Sequence, residues 1–70
     1  MLYTGDFVVD LREQTNEEGK RTIYEVYEVE YNVEHVAVIH AIIRNEERDI
    51  IMKRSGNLAD FEKVNPPYQI

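Results

Sequence analysis

The stretch Thr22–Ile43, TIYEVYEVEYNVEHVAVIHAII, constrains the fold of this chain more than any other segment. From Tyr27 onward it alternates strictly: Tyr27, Val29, Tyr31 and Val33 fall on one side, and Glu28, Glu30, Asn32 and Glu34 on the other. A strand sends successive side chains to opposite faces. The pattern therefore predicts a half-buried strand with one carboxylate-rich face and with Tyr27, Val29 and Val33 anchored in a core. Upstream, Tyr24 and Val26 alternate with Glu25, so the apolar set shifts by one residue at Val26–Tyr27. One extra residue in a strand produces that shift, so a β-bulge is expected there.

The following run, VAVIHAII over Val36–Ile43, is nearly continuous and apolar, as in a strand buried on both faces. A helix over about 33–48 is the alternative, with Asn32 as its cap and Ala37 and Ala41 favouring it. Val33, Val36, Val38, Ile39, Ile42 and Ile43 are β-branched, which stiffens χ1 and favours the strand.

Elsewhere, Asp6–Glu13 alternates as a first strand, and Gln14–Lys20 is polar with Gly19, a loop. The second strand is expected over Arg21–Tyr31 and the third over Glu34–Arg44. After a turn at Asn45–Glu47, a fourth strand is expected over Arg48–Arg54, and Ser55-Gly56-Asn57 reads as a breaker. Leu58–Phe61 suits one helical turn and Glu62–Val64 a short last strand. Pro66 and Pro67 end it, and 66–70 is expected to fray. No internal repeat or linker stands out, so residues 1–70 form one domain.

A chain of 70 residues buries only roughly 60% of its unfolded surface, so it is marginal alone. It has no cysteine, hence no disulfide and no Cys-ligated zinc; association into a homodimer is one remedy. No segment has transmembrane length or signal-peptide character, so a complete, soluble, cytoplasmic protein is expected. The net charge of −6 lies wholly in residues 1–34, where nine acids face three bases, while residues 35–70 balance. Such asymmetry disfavours direct nucleic-acid binding and favours a basic protein partner.

The fold expected is mostly β, a small five-stranded antiparallel barrel or curled sheet with a helical turn near 58–61; α+β is the alternative. The order of elements resembles that of SH3-like small barrels, on Gly5-Asp6-Phe7-Val8 at the start and Leu58-Ala59-Asp60-Phe61-Glu62-Lys63-Val64 at the end. Such folds host many functions, so the resemblance implies architecture alone.

Chemistry is sparse. His35 and His40, five apart, fall on opposite faces of a strand and do not stack on a helix, so no metal site is expected from them. Ser55 is the only serine, and the three glycines lie far apart. Neither a nucleophile triad nor a phosphate-cradling loop is implied, and the chain is not expected to be an enzyme or to hold a cofactor. Lys53, Arg54 and Lys63 lack the interleaved aromatics of a nucleic-acid surface. The remaining signal is tyrosine mixed with carboxylate: Tyr24, Tyr27 and Tyr31 among Glu25, Glu28, Glu30 and Glu34. Tyrosine joins a large apolar body to a polar tip and is enriched at interfaces. In size and charge the chain is similar to small acidic bacteriophage proteins that block host DNA-binding proteins as DNA mimics. That similarity implies an inhibitor presenting these seven residues to a basic, nucleic-acid-binding partner. An SH3-like accessory module in a larger assembly, or a small nucleic-acid-binding domain, are the alternatives.

Overall fold

A computed structural model of the chain describes residues 1–65; the tail expected to fray, 66–70, lies outside them. The strands are β1 (Phe7–Asp10), β2 (Ile23–Tyr31), β3 (Ala37–Arg44), β4 (Ile50–Asn57) and β5 (Phe61–Val64), with a 3-10 turn at Leu58–Asp60 between the last two. All pair antiparallel in one sheet of order β4-β3-β2-β1-β5. The sheet is open, with β4 and β5 at its edges. The described residues contain no α-helix, so 33–48 is turn, strand and turn: the β-branched side chains prevail over Ala37 and Ala41.

The bulge is where the phase shift placed it. Val26 lies opposite Ala41, but Glu28 lies opposite His40, so Tyr27 is the extra residue. On the near side of it, Tyr24 and Val26 enter the core with Leu2, Val8, Ile39, Ala41 and Phe61; Val29 and Ile43 pack partly against them. Burying each such side chain stabilises by about 1.5–3 kcal/mol, which makes this cluster the main source of stability.

Three connections share one turn. Asn16, Asn32 and Asn45 each donate their N–H to the carbonyl four residues on, of Lys20, Val36 and Asp49. The residue three on, Gly19, His35 or Arg48, donates back to the asparagine carbonyl. Each asparagine Oδ1 accepts the N–H four residues on, at 2.9–3.0 Å. The third residue takes a left-handed conformation, φ 78° at Gly19, 63° at His35 and 70° at Arg48. Asparagine suits the first position because its side-chain oxygen substitutes for a backbone acceptor.

Several boundaries differ from the sequence reading: β1 ends at Asp10 rather than Glu13, β2 starts at Ile23 rather than Arg21, β4 at Ile50 rather than Arg48, and β5 at Phe61 rather than Glu62. Strand β3 starts at Ala37 rather than Glu34, because the Asn32 turn takes up residues 32–36. Ser55-Gly56-Asn57 is not a breaker but the end of β4. Gly56 is there because space is short: a Cβ would stand 2.7 Å from Asp60 Oδ2 and 2.8 Å from Arg12 Nη2. Glycine inside a strand marks such close approach.

Candidate functional site

Two constellations of charge stand out. The first centres on Asp10, which is fully buried. Arg12 grips it like a fork, Nε to Oδ1 at 2.9 Å and Nη2 to Oδ2 at 3.0 Å, and the Arg12 backbone N–H adds a third donor at 2.9 Å. Arg54 Nε, from β4, donates to Oδ2 at 3.2 Å. Arg12 also donates to the Ser55 carbonyl at 2.8 Å and lies 5.6 Å from the Phe61 ring centroid. The group ties the end of β1 to β4 across the opening of the sheet. The Arg12 hydrogen bonds hold the Asp10 carboxyl below its usual range, against burial, which pushes it up; the charges of Arg12 and Arg54 help. Beside it the buried Tyr24 hydroxyl donates to Glu13 Oε2 at 2.9 Å, and burial, then that bond, raises its pKa. The buried Asp10 charge is paired with two arginines, as a buried ion must be, and the group is a brace.

The second constellation lies on β2 beyond the bulge. Strand β1 pairs with β2 only at Ile23–Glu25, and Gly5 and Asp6 extend the contact through backbone bonds to Val26. Past Val26, among the described residues, β2 has β3 on one side and no strand on the other. Tyr27, Glu28, Glu30 and Tyr31 are all exposed there. The bulge aligns Glu28 with His40 across the β2–β3 pair. His40 Nε2 meets Glu30 Oε1 at 2.6 Å, and His40 Nδ1 meets Ser55 Oγ on β4 at 2.8 Å. Ser55, His40 and Glu30 follow the order of a nucleophile triad, but in such triads the acid is buried, whereas the Glu30 side chain is 59% exposed.

The expected site residues divide at the bulge. Glu28, Glu30 and Tyr27 are exposed around one recess, whereas Tyr31 is exposed on the other face, beside Val29. Tyr24 is excluded from any surface, being 1% exposed in the core. Glu25 is half-buried upstream of the bulge. Glu34 is exposed but sits in the Asn32 turn, its N–H bonded to Asn32 Oδ1, so it does not continue the file of Glu28 and Glu30. The expected core anchors divide as well: Val29 packs against the core, whereas Tyr27 is half exposed and Val33 is at the tip of the turn, almost fully exposed. The two histidines are indeed apart, His35 in the turn and His40 on β3. The grouping of His40 with Glu28 and Glu30 depends on strand register across the bulge, which residue spacing along one strand does not report.

Compared with protein-family models, curated proteins and solved structures, the chain gives no match. Among the described residues, no helix is long and apolar enough to cross a membrane.

Proposed function

We propose that this chain is a non-enzymatic binding protein whose acidic, tyrosine-flanked patch on the outer half of β2 occupies a basic surface of a partner. A nucleic-acid-binding protein inhibited by DNA mimicry in the cytoplasm is the specific form of the reading. The observation that supports it is the exposure of Tyr27, Glu28 and Glu30 around one recess, on the half of β2 that β1 no longer flanks. Glu28 and Glu30 are two apart on a strand, roughly 7 Å, close to the phosphate spacing along one DNA strand. The Glu28 carboxylate has no hydrogen-bond or ion-pair partner within the described residues, so its charge is available. Tyrosine beside it supplies apolar area at low entropic cost.

Capture from a lysate at low salt, with the chain and its Glu28→Gln/Glu30→Gln variant, tests the reading. A basic nucleic-acid-binding protein held by the first, lost by the second and displaced by duplex DNA is the expected result. Equal capture by both chains would refute it.

A second reading, an SH3-like accessory module joining an assembly or a second copy of itself by strand edges, draws on different observations. Strand β5 follows the 3-10 turn and returns to pair with β1, and β4 lies at the sheet edge with Ile50, Ile51 and Met52 exposed. An exposed apolar edge invites pairing with another strand. Such association resists salt, whereas charge-driven binding weakens with it. Light scattering would detect a homodimer.

A further inference from the structure

We infer that Glu28, Glu30 and His40 form a surface site for a divalent transition-metal cation of the Zn²⁺ type. One ligand atom from each lies within 4.8 Å of the others. A tetrahedral ion with bonds of about 2.0–2.2 Å needs ligand atoms roughly 3.3–3.6 Å apart, so modest rotation of the two exposed glutamates adjusts the set. The inference does not rest on the partner-binding reading.

Three features separate this group from a chance run of surface acids. The first is the imidazole. His40 Nε2 is directed at the carboxylates because Nδ1 is engaged by Ser55 Oγ at 2.8 Å. With a metal on Nε2, the Nδ1–H donates to Ser55, the outer-shell contact that orients a ligating histidine. The second is the bulge, which sets Glu28 rather than Tyr27 opposite His40 and so brings both carboxylates to one imidazole. The third is the neighbourhood, a recess of about 250 Å³ lined also by Tyr27, Ala41, Ile42 and Lys53. Its walls provide room for the ion and for the water that completes a coordination shell.

Donor chemistry selects the ion. Mg²⁺ and Ca²⁺ prefer shells of oxygen alone, whereas one nitrogen and two carboxylates suit Zn²⁺ and its neighbours. The Lys53 ammonium opposes the ion.

Calorimetric titration of the full chain with ZnCl₂ and with MgCl₂ tests the inference, with circular dichroism to verify that each variant is folded. One Zn²⁺ per chain and no comparable uptake of Mg²⁺ are expected. His40→Ala should weaken Zn²⁺ binding by more than tenfold, and Ser55→Ala by about tenfold through loss of orientation. Glu28→Gln and Glu30→Gln should each weaken it, Lys53→Gln should strengthen it, and His35→Ala should leave it unchanged. No Zn²⁺ uptake by the parent chain, uptake retained in folded His40→Ala, or loss confined to His35→Ala would overturn the site. The titration contains no partner protein, so its failure leaves the acidic-patch reading standing.

Discussion

Asp10 and Glu30 each carry one negative charge and each meet a basic side chain, and both groups reach Ser55, yet their surroundings are opposite. Asp10 is fully buried and held by four donors from Arg12 and Arg54. Glu30 is open to water and touches only His40 among the described residues. Tyr24 and Tyr27, three residues apart, repeat the contrast at 1% and 49% exposure. The bulge lies between them. Before it, β2 is sandwiched between β1 and β3, and Tyr24 and Val26 enter the core; after it, β2 has lost β1, and its side chains other than Val29 are exposed. Charge and aromaticity alone do not mark a working surface. What matters is whether neighbouring strands have already taken the side chain.

The sharpest way to break this contrast is to truncate the two tyrosines. Tyr24→Ala should lower unfolding free energy by about 3–5 kcal/mol in urea, the range for a large buried aromatic. Tyr27→Ala should lower it by less than about 1 kcal/mol. Equal losses would mean that the bulge does not separate scaffold from surface.

The carboxylates provide the next test. Asp10→Ala should cost about 3 kcal/mol, since it strands hydrogen-bonded cations, whereas Glu30→Ala should cost about 0.5 kcal/mol or less. The Asp10 pKa is depressed below its ordinary value of 3.8. Its contribution is thus complete above that value and is lost as the pH falls through the folded-state value, where the native carboxylate is finally protonated. Asp10→Asn should flatten the acid limb of the stability curve, and an unchanged limb would show that another carboxylate dominates it.

Smaller effects test the close approach and the turns. Gly56→Ala should destabilise by about 1–3 kcal/mol by forcing Arg12 and Asp60 apart. His35→Gly and Arg48→Gly should each stabilise by about 0.5–1 kcal/mol, because a left-handed φ strains a side chain that glycine lacks. Thermal denaturation resolves both signs.

Periodicity made the sheet legible, and even its defect: the phase shift at Val26–Tyr27 located the bulge one residue long. Turn chemistry was only partly legible. Gly19 signals its loop, but His35 and Arg48 adopt the same conformation under the direction of Asn32 and Asn45, a rule that appears only when the three turns are aligned. Gly56 misleads because a breaker in isolation becomes a packing residue once Arg12 arrives from 44 positions earlier. The same distance hid the brace around Asp10, where Arg54 and Asp10 meet across the sheet opening. The acidic patch was legible as composition. Its membership was not, because the strand ends at Tyr31 and leaves Glu34 in a turn, while the core takes Tyr24.

The claim that the outer half of β2 is a working surface is tested most directly by the affinity of a captured basic partner for the chain and for Glu28→Gln/Glu30→Gln, measured at low salt. The account predicts an unchanged fold and a Kd raised about tenfold, about 1.4 kcal/mol, mostly through slower association. An unchanged Kd in a folded double variant would contradict it and leave these carboxylates as a solvated face.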